Sequence, residues 1–356
     1  MNMKEIAIKR LYSQHILNQR FKSPSELVSW LGAIQGQDYA GAKWSVGLRL
    51  PGINDEDVEK ALKDRTLVRT WALRGTLHFV AGSDVHWLLE LLAPRIIARN
   101  ARRYRELELD EKTLYQSNNI LKNALADNNQ LNRRELLAIL EKKGISTEGQ
   151  RAPYMLQRAS IDGLICQGVT HLNNPIYMSM DELPRSRTME REDALAELAK
   201  RYFNSHGPAT LKDFVWWSGL LVNDAKEGLE LIKHELEKEI INGKTYWLSS
   251  NLTGRFDSPK VNLLPWFDEF LLSYRDRSAS IDAEQVKQML KSTNGTFTST
   301  IVLDGRVVGK WKRTIRKDNI LLELKYFRTL NDLEKDALTS EILRYGEFIG
   351  LPVILK

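Results

Sequence analysis

One run of elements recurs three times along this chain: a capped amphipathic helix, a second helix, then two short alternating strands. The first run opens at Ser23-Pro24-Ser25-Glu26, where serine can cap, proline suits the first helical position and glutamate closes a capping box. Leu27, Trp30, Leu31 and Ile34 follow at i, i+3, i+4 and i+7, so the helix is expected to reach the Gln35-Gly36-Gln37 triplet and stop at Gly36. The second run starts at Asn132-Arg133-Arg134-Glu135, passes through Leu136, Ile139 and Leu140 and a helix around 154–159, and closes in a strand pair within 163–180. The third starts at Thr210-Leu211-Lys212-Asp213, carries Leu229, Ile232 and Leu236, and closes around Asn242-Gly243, a strong two-residue hairpin turn. Helix, helix, hairpin is the pattern of a winged helix-turn-helix unit.

The last third changes character. Two β-branched runs flank Asp304-Gly305, another turn dipeptide, and NILLELKYF supplies a further strand, so a small sheet or barrel is expected. A closing helix follows, with Leu333, Leu338, Ile342 and Leu343 expected inward. The fold class is therefore α+β: three tandem winged helix-turn-helix units at 1–110, 111–182 and 190–250, scaffolded by a β-rich or barrel domain at 251–356. Residues 180–195 are polar and contain a proline, which makes them the best linker.

Charge placement narrows the partner. The chain is net +6, yet residues 69–105 hold seven basic residues against two acidic, and residues 301–317 hold six against one. The remainder is net negative, so positive potential is concentrated, as a polyanion partner requires. Arg95, Arg99, Arg102 and Arg103 fall at helical spacing on one face, and Lys310, Lys312 and Arg313 sit on a hairpin suited to groove insertion or backbone tracking. Double-stranded DNA is the expected partner.

Other classes fall away. One cysteine, Cys166, excludes an internal disulfide framework and fits a reducing cytoplasm, with the protein expected at the nucleoid. Six scattered histidines have no metal-ligand spacing, so neither metal nor cofactor is expected. The charged N-terminus lacks a signal peptide's apolar run, and no stretch approaches the ~18 uncharged apolar residues of a membrane span. No coiled coil is evident, and a monomer is expected.

Glutamine is a poor general base, which counts against Gln35 and Gln37 as catalysts unless the substrate needs none. A purine alkylated at N7 or N3 is already cationic, so it departs without protonation. What remains is to orient water and stabilise an oxocarbenium-like sugar, which amide dipoles can do. In Thr70-Trp71-Ala72-Leu73-Arg74-Gly75-Thr76-Leu77-His78, alternation would put Arg74, Thr76 and His78 in one polar row, facing either DNA or a buried network. Asp268 and Glu269 suit acid–base work or a structural ion-pair cluster, and no nucleophilic lysine signature is evident.

Taken together, LGAIQGQDYAGAKWSVGLRL and VRTWALRGTLHFV resemble the opening of the AlkZ/YcaQ-type winged-helix DNA glycosylases. HGPATLKDFVWWSGL, LLPWFDEFLLSYRDR and DGRVVGKWKR are similar to three later elements of that family, in order. The resemblance implies a C-shaped DNA channel and a catalytic pair at Gln35 and Gln37, on the Gln-x-Gln rather than the Gln-x-Asp branch. Gly36 departs from the small aliphatic usual between them. The expected activity is monofunctional excision of cationic N7- or N3-alkylpurines, with unhooking of interstrand crosslinks within the family's range. The competing expectation is a non-catalytic winged-helix regulator or architectural protein.

Overall fold

A computed structural model of the chain describes every residue except 19, 172–173, 185–187, 251, 253–257 and 290–297. The expected linker and the tip of the second strand pair thus fall partly outside the described residues. Thirteen strands are described: β1 (Ile34–Gln35), β2 (Leu67–Trp71), β3 (Leu77–Ala81), β4 (Leu131–Asn132), β5 (Ile165–His171), β6 (Asn174–Ser179), β7 (Leu236–Ile241), β8 (Lys244–Ser249), β9 (Val261–Leu264), β10 (Thr300–Leu303), β11 (Arg306–Ile315), β12 (Ile320–Tyr326) and β13 (Val353–Leu355). They form three sheets, ordered β1-β3-β2-β5-β6-β4, β7-β8 and β13-β12-β11-β10-β9.

The strand pairs of the first two repeats are not separate. Arg69 of β2 pairs with Gln167 of β5, which fuses both hairpins into one six-stranded sheet. The third pair, β7-β8, stands alone after the helices Leu211–Ser218 and Val222–Ile232. Asn242 and Gly243 turn it with φ of 49° and 72°, and Asp304 and Gly305 turn β10 into β11 with 47° and 82°, the left-handed pair that a type I′ turn demands.

The C-terminal sheet is open, with β9 and β13 as its edges, so a sheet forms there and not a closed barrel. Its face is covered instead by the helix Asp332–Ile349, through Leu338, Ile342, Tyr345 and Phe348. Leu333 and Leu343, expected inward, are 69% and 60% exposed. Each lies five residues from Leu338, about 140° around the helix, so a stripe through Leu338 cannot include them.

The first helix also ends sooner than its apolar stripe suggests. It spans Pro24–Leu31 and stops at Gly32, whose φ is 80° and whose missing Cβ leaves room for the Trp217 ring. Ile34 and Gln35 are thereby released into β1, paired with β3. β2 and β3 separate two cores: Leu67, Phe79 and Ile34 belong to the core that reaches the C-terminal sheet, while Val68 and Val80 belong to the core built on the helices Val85–Glu106, Arg191–His206 and Leu211–Ser218.

The helix Tyr39–Arg49 locks the N-terminal half to that sheet. Its Trp44 packs on Tyr345 and donates its indole N–H to the Leu263 carbonyl at 2.6 Å. Its Arg49, fully buried, grips Asp268 with both guanidinium nitrogens at 2.7 and 2.8 Å and also reaches Ser45 and Gln14. Burial alone would raise the Asp268 carboxyl, but the Arg49 charge and its hydrogen bonds outweigh burial and hold it below its ordinary value. Arg49→Ala should therefore strand a buried carboxylate and cost about 3–5 kcal/mol in urea unfolding. Replacing both partners, as Arg49→Met with Asp268→Leu, should recover most of that loss.

Candidate active site

Gln35 ends the edge strand β1, Gly36 and Gln37 follow it, and the triplet is held by its backbone at three points. The Gln35 N–H donates to Glu269 Oε1 at 2.8 Å, the Gly36 N–H to the Leu77 carbonyl at 2.7 Å, and the Gly36 carbonyl accepts from Arg69 Nε at 2.8 Å. Arg69 is itself buried and oriented by Gln167, whose amide donates to the Tyr177 hydroxyl. Gly36 is not in the left-handed region. Its Cα lies close to β3: a Cβ there would stand 3.2 Å from the His78 carbonyl carbon, tighter than an ordinary contact, so a side chain would require a small shift of the backbone.

The two glutamine side chains form a short relay from the half-buried Thr76 through the buried Gln35 to the exposed Gln37. The Thr76 hydroxyl donates to Gln35 Oε1 at 3.2 Å, and Gln35 Nε2 donates to Gln37 Oε1 at 2.7 Å. Gln35 is 5% exposed, whereas Gln37 is open to solvent. Among the described residues none accepts from the Gln37 amide nitrogen. A fixed amide thus orients a second, exposed amide that can still bind water or a sugar oxygen.

The polar row read from alternation is broken. Leu73–Gly75 is a tight turn with Arg74 at φ 58°, so Arg74 leaves the strand pattern and donates to the carbonyl of Trp217. Arg99 in turn donates to the Arg74 carbonyl. His78 is fully buried, and its Nδ1 is 2.8 Å from the Thr76 carbonyl, which can only accept. The proton therefore sits on Nδ1. Burial, aided by the Arg74 charge, pushes the imidazole down to about 3, so it is neutral and belongs to a buried network.

Glu269 is the residue whose place the spacing of the motif did not indicate. It is fully buried beneath Gln35, and its second oxygen accepts from Trp217 Nε1 at 3.2 Å and from the Ser273 hydroxyl. His206 Nε2 stands 3.9 Å away. Burial raises the Glu269 carboxyl above its ordinary value, opposed by Ser273, Arg74 and the Gln35 N–H. Its neighbour Asp268 is taken up by Arg49, so the two carboxyls do not form an acid–base pair.

The basic residues divide between two places. Arg74, Arg95 and Arg99 line one small cavity with Ser218 and Gly219, and form no ion pair with a carboxylate among the described residues. Further along the helix Val85–Glu106, Arg102 and Arg103 both pair with Glu106 at 2.8 Å. On β11, Lys310, Lys312 and Arg313 line a groove of about 770 Å³ with Trp266 and Asp38. Arg313 holds both oxygens of Asp38 at 2.9 Å, which ties this hairpin to the residue after Gln37. Among the described residues no group of three potential metal ligands exists, and no helix is long and apolar enough to cross a membrane.

Gly36→Ala should force β1 away from β3, destabilising the protein by about 1–3 kcal/mol in thermal or urea unfolding. His78 and His206 are both pushed down to about 3 by burial, so the unfolded chain binds more protons below pH 6.5. Their contribution is complete above that pH and lost as pH falls towards 3. The unfolding midpoint should drop across this window, and His78→Gln should flatten the drop.

The family model described as "AlkZ-like: DNA glycosylase AlkZ-like" matches residues 28–348. The "Interstrand DNA cross-link repair glycosylase" of Streptomyces sahachiroi is 25% identical over 331 residues, covering 85% of each chain. The solved "Streptomyces sahachiroi DNA glycosylase AlkZ" superposes with a TM-score of 0.81 over all of both chains at 22% identity, a shared fold. With the match spanning nearly its whole length, the chain belongs to the AlkZ-like DNA glycosylase family.

Proposed function

We propose that this glycosylase excises cationic N7- or N3-alkylated purines from duplex DNA, with Gln35 and Gln37 orienting the attacking water. The observation that carries the reading is the amide relay: Thr76, itself half-buried, orients the buried Gln35, and Gln35 orients Gln37, the most exposed of the three. No titratable side chain takes part in it. Amides stabilise developing positive charge by dipole and hold water by hydrogen bonds, but they cannot protonate a neutral leaving base. Such a site fits a leaving group that is already positively charged. It also fits a monofunctional hydrolase, since the relay contains no amine to form a Schiff base.

The flipped nucleotide must be held while its neighbours' phosphates are gripped. Arg74, Arg95 and Arg99 lie against the turn that carries Thr76, and Lys310 and Lys312 line the groove that begins at Asp38. Both clusters therefore adjoin the relay, and each is assigned to the DNA backbone, with Arg102 and Arg103 extending the first. His78 supports the relay from below. The curated relative's name links it to crosslink repair, and we extend that substrate class to this protein: an N7-linked crosslink leaves a purine with the same cationic character.

Purified protein should release 7-methylguanine from methylated duplex DNA and leave uracil in place. Gln35→Ala and Gln37→Ala should each slow single-turnover release by about 100-fold or more with duplex affinity retained. Release unaffected by the double substitution would remove the pair from the mechanism. Each of Arg95→Ala and Lys312→Ala should weaken binding evenly across sequences and lower the slope of log affinity against log salt by about one.

A further inference from the structure

We propose that Glu269, contributed by the C-terminal part of the chain, is a positioning residue for Gln35, an inference that rests on the glycosylase reading above. β1 is the edge strand of its sheet, bonded only to β3. The Gly36 N–H points inward to Leu77, so the Gln35 N–H points outward, where a further strand would supply a carbonyl and none follows. Glu269 Oε1 takes that place at 2.8 Å, across 234 residues of sequence.

The carboxyl cannot swing away. Trp217 Nε1 and the Ser273 hydroxyl hold its second oxygen, and it heads the one-turn helix Glu269–Leu272, whose neighbour Asp268 is fixed by Arg49. All three donors point at it, and the side chain is sealed from water. The carboxyl is the common acceptor of an edge N–H, an indole N–H and a hydroxyl, so its place fixes the Gln35 backbone relative to Trp217 and Ser273, and an apolar residue there would leave all three donors unpaired. Its consequence is local. With the Gln35 N–H anchored here and the Gly36 carbonyl anchored by Arg69, the Gln35 amide meets Thr76 on one side and Gln37 on the other. Freed at Glu269, the two-residue strand would keep its β3 bond but lose the restraint on the angle at which Gln35 enters the relay.

Glu269→Gln is the discriminating variant. It keeps the volume and one accepting oxygen but turns the other position into an N–H donor, which must face either the Gln35 N–H or the Trp217 N–H. Single-turnover release of 7-methylguanine by the full-length variant should fall about 10- to 100-fold while its affinity for the same duplex stays within about twofold of the wild type. A wild-type rate overturns the proposal, as does a fall in rate no greater than the fall in affinity, which is what a merely structural role would produce. If the Gln variant does not fold, Glu269→Asp carries the same requirement: it retains the carboxyl but draws it back from Gln35 by one methylene. Failure of the wild type to release any alkylpurine sinks the glycosylase reading and this proposal with it, whereas wild-type activity with an indifferent Glu269 sinks only this one.

Discussion

Asp268 and Glu269 are consecutive in the chain, both sealed from water, and they serve different neighbours. Asp268 accepts from Arg49, Ser45 and the Phe270 N–H, while Glu269 accepts from Gln35, Trp217 and Ser273. Buried carboxyls persist only where donors surround them, and here the donors come from the first sixty residues, from the helix Leu211–Ser218 and from the one-turn helix and its C-cap, Phe270 and Ser273. The first sheet, the third helix pair and the C-terminal sheet therefore meet at one dipeptide. Separating any of them would leave a buried carboxyl short of partners, which is a larger penalty than the loss of a few apolar contacts.

Rigidity at the motif follows from the same arrangement. A two-residue edge strand has little stability of its own, and Gly36 between the glutamines removes side-chain restraint. The structure compensates with backbone anchors on both sides, and Gly36 itself lies close against the His78 backbone. The histidine beneath is neutral, the arginines nearby are spent on carbonyls or left for anions, and the groups at the surface of the relay are amides. Such a site is organised for dipole and hydrogen-bond chemistry, in keeping with its membership of a glycosylase family.

Much of this was legible in the residues. The unit starts at Asn132 and Thr210, where capping boxes form, and the turn dipeptides Asn242-Gly243 and Asp304-Gly305 follow their local chemistry, because each depends on contacts within a few residues; at Ser23 the serine caps as expected, but Glu26 accepts from the Lys22 N–H and does not close the expected box. The clustering of basic residues and the glutamine triplet were visible in the same way. The end of the first helix was not, since Gly32 and Gly36 offer equivalent stops locally and the choice rests on the Trp217 ring, far along the chain. Nor was the break in the Arg74, Thr76, His78 row, because a tight turn at Leu73–Gly75 interrupts an alternation that only a continuous strand would keep.

The amino-acid sequence by itself determined the local elements, the order of helices and hairpins, the placement of charge and the identity of the motif, all governed by short-range propensity and periodicity. Tertiary structure decided what those pieces share. The first two hairpins become one sheet through a single pairing of Arg69 with Gln167, the C-terminal strands stay open under a helix instead of closing, and Glu269 completes an edge 234 residues away. Pairings of that separation depend on which buried donors and acceptors remain unsatisfied once the chain is compact, and no window of sequence contains both partners.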